Sequence, residues 1–283
     1  MEQLKLALMD MNNGVPNQGM RGLRNIVKKF ELEDPGPGTS PGLVVDEFEV
    51  RKEHQVPGLD YNIYISSGGP GDPREIIGGQ EKQWYQLIDQ IWQHNQTRED
   101  KKYVFFVCHS FQMACQHFGL CDITKRKSTS FGIYPIHKTV IGKKDPLLKD
   151  LQDPFYSVDS RDWQLVQPNQ AAFKKQGAKI LSLEKIRTHV EYERAIMAIR
   201  FSPVMVGTQF HPEADPEGMK NHFEKKVNRD KVINNFDEEK YQKMMHYLDS
   251  PESISHTYNT VIPGFLKRAI HSLTTVPYKE HAA

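Results

Sequence analysis

Cysteine is scarce in this chain of 283 residues, which carries only Cys108, Cys115 and Cys121. Three thiols cannot all pair with one another, and their spacing matches no paired zinc-ligand pattern, so neither a disulfide framework nor a zinc module organises the fold. A reducing compartment suits them. Net charge is equally scant: 37 Lys and Arg stand against 36 Asp and Glu, a formal balance of +1. That balance offers nothing to a polyanionic partner such as nucleic acid, and the run Lys125-Arg126-Lys127 reads as solvated surface. Long apolar runs are absent as well, none approaching the ~20 residues that cross a bilayer. The N-terminal MEQLKLALMDMNNG is interrupted by Lys5 and Asp10 and leads to no small-residue cleavage site, so it reads as a first strand rather than a leader. A soluble, cytoplasmic protein without membrane contact is the expectation. Phosphate-cradling patterns are missing too, since no GxGxxG and no P-loop Lys-Ser/Thr occurs. Neither a cofactor nor a metal is expected.

What is present suffices for a sizeable core, with 38% hydrophobic residues to fill one large or two modest domains. In the first half, short apolar runs alternate with amphipathic segments, the pattern of strands joined by helical crossovers into a largely parallel sheet. Leu4 to Met9 reads as a strand, and Met20, Leu23, Val27 and Phe30 then recur at helical spacing. The Pro- and Gly-rich EDPGPGTSPG reads as a surface connection rather than a linker between domains. After LVVDEFEV comes YNIYISSGGPGDP, a strand ending in a glycine-rich turn, and then a helix with Trp84, Leu87, Ile88, Ile91 and Trp92 on one face. The strand YVFFV runs straight into Cys108.

Between Lys127 and Phe210 the β-branched and aromatic runs FGIYPIHKTVI, FYSVD and WQLVQ predict hairpins or added strands. Beyond Glu213 the pattern turns helical, with Tyr241, Met244, Met245 and Leu248 on one face and Ile262, Phe265, Leu266, Ala269, Ile270 and Leu273 on another. The expected fold is therefore α/β, with a mixed, largely parallel sheet flanked by helices, inserted β-hairpins and a helical C-terminal extension. Residues 1–213 form the main domain in this reading. Residues 214–283 form an extension packed on it or placed at a subunit interface, where it would support a homo-oligomer.

Three segments carry chemistry. In VFFVCHSFQMACQHFG an apolar strand meets a helix at Cys108, an elbow at the carboxyl end of the sheet and at a helix N-terminus that favours thiolate. Phe111, Ala114, Cys115 and Phe118 continue at helical spacing, which makes Cys115 a core thiol and Gly119 the C-cap. In VMVGTQFHPEAD, His211 and Glu213 are two residues apart and can share one side of an extended backbone, a base and the carboxylate that holds its ring. In ISSGGPGDP the glycines let the backbone approach a ligand and aim N–H groups at a developing oxyanion. Each segment alone has an ordinary alternative: a buried thiol, an exposed strand end, a tight turn.

Taken together and in this order, strand–SGGPGDP, strand–VCHSFQ–helix and strand–TQFHPE resemble the three signature segments of the class I glutamine amidotransferase domain. The resemblance spans roughly Leu4 to Glu213 and implies a flavodoxin-like mixed sheet flanked by helices. It also implies an activity: the elbow cysteine attacks the side-chain amide of glutamine, forms a glutamyl thioester and releases ammonia, and water then frees glutamate. By motif position Cys108 is the nucleophile, His211 the general acid/base and Glu213 its orienter. The N–H groups of Gly69 and His109 would be the oxyanion donors, and Gly71 and Gln112 would line the glutamine pocket. The partners implied are glutamine or another γ-glutamyl substrate and, because the chain has no nucleotide-binding loop, a synthetase on a separate polypeptide.

Two places depart from the family pattern. The elbow usually reads G-x-C-x-G, whereas here Phe106 and Ser110 flank the cysteine, so a bulky ring must find space that glycine leaves empty. FYSVDSRDWQ lies where relatives commonly carry a His-rich stretch beside the glutamine backbone. Two other functions therefore stay open: a γ-glutamyl peptide hydrolase with the same triad, and a binding or regulatory module with an altered elbow.

Overall fold

The computed structural model describes residues 3–15, 17–31, 42–75, 81–186, 193–250 and 254–275. The Pro- and Gly-rich connection read at 33–42 lies almost wholly outside them. In chain order the elements are β1 (Leu4–Asp10), α1 (Gln18–Glu31), β2 (Leu43–Glu49), β3 (Ile63–Ser66), α2 (Lys82–Thr97), β4 (Tyr103–Val107), α3 (His109–His117), β5 (Asp122–Lys138), β6 (Phe155–Val166), α4 (Gln170–Gln176), β7 (Lys179–Glu184), β8 (Ile196–Ser202) and β9 (Met205–Thr208). Four helices follow, α5 (Pro216–Glu224), α6 (Lys226–Asn235), α7 (Glu238–Asp249) and α8 (Ile254–Thr275). None of the described helices is long and apolar enough to cross a membrane.

Nine strands form one sheet in the order β2-β1-β3-β4-β9-β8-β7-β5-β6. The pairings from β2 through β9 are parallel, and those from β9 through β6 are antiparallel. The sheet is thus mixed, parallel only in the half that precedes Cys108 and receives β9. The physical reason is local: β8 and β9 are joined by a tight turn, and β5 and β6 form a long hairpin, connections that only antiparallel neighbours allow.

Alternation of side chains divides the core into two layers. Leu4, Leu6, Leu8, Ile63, Ile65, Phe105, Val107 and Val206 point to the face covered by α1 and α8. Ala7, Met9, Tyr64, Val104, Phe106 and Met205 point to the face covered by α2 and α3. The apolar stripe Tyr258, Val261, Ile262, Phe265, Leu266 and Ala269 of α8 is buried on the first face, so this extension closes the core. Each such Leu, Ile or Phe contributes about 1.5–3 kcal/mol by leaving water. A third cluster joins the β5–β6 hairpin to α5–α7 through Phe131, Ile133, Val158, Phe223, Tyr241 and Met244.

Arg126 corrects the reading of Lys125-Arg126-Lys127 as a solvated run. Lys125 and Lys127 are exposed, but the strand's alternation turns Arg126 inward, where its side chain is 8% exposed and pairs with Glu184. Strand period explains it, since consecutive side chains of β5 must face opposite sides.

Candidate active site

The site begins at the end of β4. Cys108 takes φ 48° and ψ −100°, a left-handed conformation that a side chain adopts only under constraint. Its N–H donates to Thr208 O at 2.7 Å, and its carbonyl receives the Gln112 N–H at 3.0 Å as α3 starts. Ser110 pins the same turn: its hydroxyl accepts from Val107 N (3.0 Å) and donates to Ser66 O (2.8 Å), tying the elbow to β3. Phe106 finds its space on the other face, stacked edge-on against Trp84 and Phe201 at 5.8 and 5.6 Å. The bulky residue of the elbow therefore packs away from the thiol. Gly119, with φ 63°, closes α3, and Cys115 is fully buried.

His211 follows β9 and is held by the hairpin, its N–H donating to Val158 O at 2.9 Å and its carbonyl accepting the Ser157 hydroxyl at 3.2 Å. Its Nδ1 lies 2.7 Å from Glu213 Oε1. Burial works against a charged imidazole here, but the Glu213 carboxylate, the Cys108 sulfur and hydrogen bonds to both hold His211 well above the usual histidine range. Glu213 is 1% exposed and lies under the first turn of α1. A methyl at Gly19 would stand 3.0 Å from Glu213 Oε1, and one at Gly22 would stand 2.0 Å from its carbonyl oxygen. Two glycines on one helix face thus let α1 press onto this carboxylate, which gains from the partial positive charge of the helix start. Arg21 on the same helix pairs with Asp215, the N-cap of α5.

The glycine-rich turn after β3 fits between these groups. A methyl on Gly68 would lie 3.1 Å from His211 Cε1 and 3.4 Å from Cys108 Cβ, so the gap between imidazole and thiol exists because residue 68 has no side chain. A methyl on Gly69 would collide with Met11 O at 2.2 Å, and Gly71 has φ 104°. Arg51 supports this turn from beneath, with Nη1 donating to Met11 O (3.2 Å) and Pro70 O (2.6 Å) while Nε lies 3.0 Å from Glu81 Oε1. His109 is buried beside it. Burial and the charge of Arg51 push its imidazole down to about 3, with Asp72 opposing them.

All seven residues singled out from the sequence, Cys108, His211, Glu213, Gly69, Gly71, His109 and Gln112, line one cleft of about 630 Å³. Others in or behind its wall went unread. Gln209 donates to Cys108 Sγ at 3.5 Å and accepts from Gln112 Nε2 at 2.8 Å, linking two motifs. Ser160 O lies 3.7 Å from the thiol, and the adjoining Arg161 is buried in a pair with Asp159 at 3.0 Å. The signals were present: Gln209 lies within TQFHPE, and Asp159 and Arg161 are two apart on one strand. Trp163 closes one end, with the Arg74 guanidinium 4.0 Å from its ring centre. Among the described residues no cluster of three or more His, Cys, Asp or Glu side chains is arranged to hold a metal ion.

The fold and this cleft define an α/β protein with a cysteine, a histidine and a carboxylate gathered at the carboxyl ends of parallel strands. A family model described as glutamine amidotransferase class-I matches residues 43–229, and the chain belongs to that family. Among solved structures it resembles a glutamine amidotransferase from Thermotoga maritima, with TM-score 0.67 and 15% identity, covering 95% of this chain and 99% of that one. A glutamine amidotransferase from Methylobacillus flagellatus aligns over 100% of both chains with TM-score 0.65 and 10% identity. The glutaminase domain of Trypanosoma brucei CTPS, solved with bound acivicin, aligns over 75% of this chain and 86% of that one, with TM-score 0.51 and 11% identity. No curated protein sequence matches.

Proposed function

We propose that this protein is a cysteine amidase acting on the side-chain amide of glutamine or a related γ-glutamyl amide. The observation that carries the reading is the joint placement of Cys108 and His211 around the empty side-chain position of Gly68, with His211 Nδ1 2.7 Å from Glu213. In this reading the Cys108 thiolate attacks the γ-carbonyl carbon, paired with an imidazolium that Glu213 stabilises. The oxygen takes up negative charge against the N–H groups of Gly69 and His109. The C–N bond then breaks, the amine leaves with the proton from His211, and a glutamyl thioester remains on Cys108. Water, deprotonated by His211, attacks the thioester, and glutamate leaves as the thiol is restored.

Gly71 and Gln112 line the substrate side of the cleft in this scheme. Arg161, held in its buried pair with Asp159, stands near the reacting sulfur in the segment where relatives commonly carry histidines. Residues 1–213 serve as the amidotransferase-like domain with a flavodoxin-like parallel core, and residues 214–283 as an extension packed upon it. The likeness to the glutaminase domain of a CTPS supports a synthetase as the acceptor of the ammonia, and in this reading that synthetase is a separate polypeptide because no nucleotide-binding loop occurs in the sequence. The direct test is incubation with glutamine and a panel of γ-glutamyl amides, following glutamate and amine release, with Cys108→Ser as control. A glutamine-analogue electrophile is expected to modify Cys108 in the native protein only. Absence of both labelling and glutamate release at every pH tried would falsify the amidase reading.

A further inference from the structure

The cleft is larger than its inner end requires. At about 630 Å³ it holds roughly twenty waters at ~30 Å³ each, whereas glutamine has roughly ten non-hydrogen atoms. The lining divides at the thiol. On one side stand Gly71, Gln112 and Trp163, linked by the contact of Gln112 Nε2 with Trp163 O at 3.3 Å. On the other side the wall passes from Ser160, 3.7 Å from Cys108 Sγ, to its register partner Phe131 on β5. Phe131 carries the Lys231 ammonium 4.5 Å from its ring centre and has the His222 ring at 6.4 Å. Lys225 lines the same end, and neither lysine forms an ion pair among the described residues. Asp162 also reaches this end, where it accepts the Thr129 hydroxyl at 2.5 Å. His222 is pushed below the usual histidine range by burial and by the charges of Lys225 and Lys231.

The Lys231 ammonium over the Phe131 ring and Lys225 in the lining of the same cleft, reached from the thiol across one strand pairing, form a seat for an anion attached to the leaving amine. Resting on the amidase reading above, we propose that this outer half of the cleft binds a carboxylate on the leaving group. The preferred substrate class is then a γ-glutamyl amide of an amino acid, cleaved to glutamate and that amino acid. Phe131 serves the site twice, covering the apolar part of the leaving group and holding Lys231 in place through its ring face. Lys225 and Lys231 are specificity residues and take no part in bond breaking.

The test compares γ-glutamylglutamate with γ-glutamylethylamide, whose leaving amine carries no carboxylate, in the native protein and in a Lys225→Gln/Lys231→Gln variant. The expected kcat/KM ratio is roughly five- to tenfold or more in favour of γ-glutamylglutamate, falling towards one in the variant, as two partly exposed charge contacts imply. Equal rates on the two compounds, or an equal fall on both in the variant, would overturn the proposal. Calorimetric binding of the same compounds to Cys108→Ala, with and without the lysine substitutions, keeps the subsite testable without turnover. A charge preference there with no labelling of Cys108 would sink the amidase reading and leave the anion seat standing. No preference there, with labelling intact, would sink the seat alone.

Discussion

Phe106 on β4 and Gly207 on β9 are register partners, and the missing side chain at 207 leaves room for the Phe106 Cβ and carbonyl and for the ring of Phe111. A methyl at 207 would lie 2.6 Å from Phe111 Cδ2, 3.0 Å from Phe106 Cβ and 3.1 Å from Phe106 O. The glycine that the family pattern places before the nucleophile is absent here, while a glycine stands on the neighbouring strand, where it relieves crowding between β9, the Phe106 backbone and Phe111 on α3.

Gly207→Ala is accordingly expected to destabilise the fold by about 1–3 kcal/mol through overpacking. Urea unfolding measures it. In a Phe111→Ala background the same change is expected to cost distinctly less, because the ring carbon nearest the new methyl has gone. Simple additivity of the two would mean that the space at 207 is set by the Cβ and carbonyl of Phe106 alone.

Removing the Glu213 charge tests the other end of the constellation. Glu213→Gln takes away the leading favourable influence on the His211 imidazolium, so the histidine's titration is expected to move down towards its ordinary range. Glutamate release at neutral pH should fall about 10²–10⁴-fold, the usual scale for a lost acid–base function. NMR of the His211 ring follows the titration without relying on activity. An unmoved titration would detach Glu213 from His211 despite their contact.

Much of this site was legible in the sequence because its parts sit at junctions with strong local signals. YVFFV followed by Cys108, and VMVGT followed by His211, mark the carboxyl ends of parallel strands, where sites of open α/β sheets gather. The parallel half of the sheet was legible for the same reason, since strands buried on both faces read as continuous apolar runs. The support from α1 was not. Gly19 and Gly22 matter only because Glu213 lies against them, and that contact spans nearly two hundred residues. For Arg161 and Asp159 the spacing signalled a shared face of the strand but not their burial, because a buried ion pair and an exposed one have the same letters. The length of the β5–β6 hairpin was hidden by Lys125-Arg126-Lys127, whose charges resemble a loop until alternation turns Arg126 inward.

Arg51 and Glu81 are buried together, with side chains 4% and 2% exposed. Arg51→Met leaves a carboxylate in the interior without its cation, and a loss of about 3–5 kcal/mol is expected. Adding Glu81→Gln should recover much of that stability. Turnover should stay low in the double variant, because the carbonyls of Met11 and Pro70 have still lost the guanidinium that holds the glycine turn. Urea unfolding and glutamate release separate the two effects, and recovery of both together would reduce Arg51 to charge balance.

His109 sets a pH window for stability. Its imidazole titrates near 6.5 in an unfolded chain, but burial and Arg51 lower it to about 3 in the fold. Between those values the unfolded chain binds a proton that the folded one refuses, so this group makes stability rise with pH, fully present above about 6.5 and lost towards 3. His211 acts with the opposite sign. Raised in the fold, it contributes stability that is complete below its unfolded value and is lost as pH rises through its folded one. Comparing the native protein with His109→Gln by urea unfolding isolates the first effect. From pH 7 to pH 5 the native protein is expected to lose about 2 kcal/mol more than the variant, at up to ~1.4 kcal/mol per pH unit. Parallel curves would mean that His109 carries a proton in the fold. A second cation would then sit against Arg51, directly behind the glycine turn proposed to receive the oxyanion.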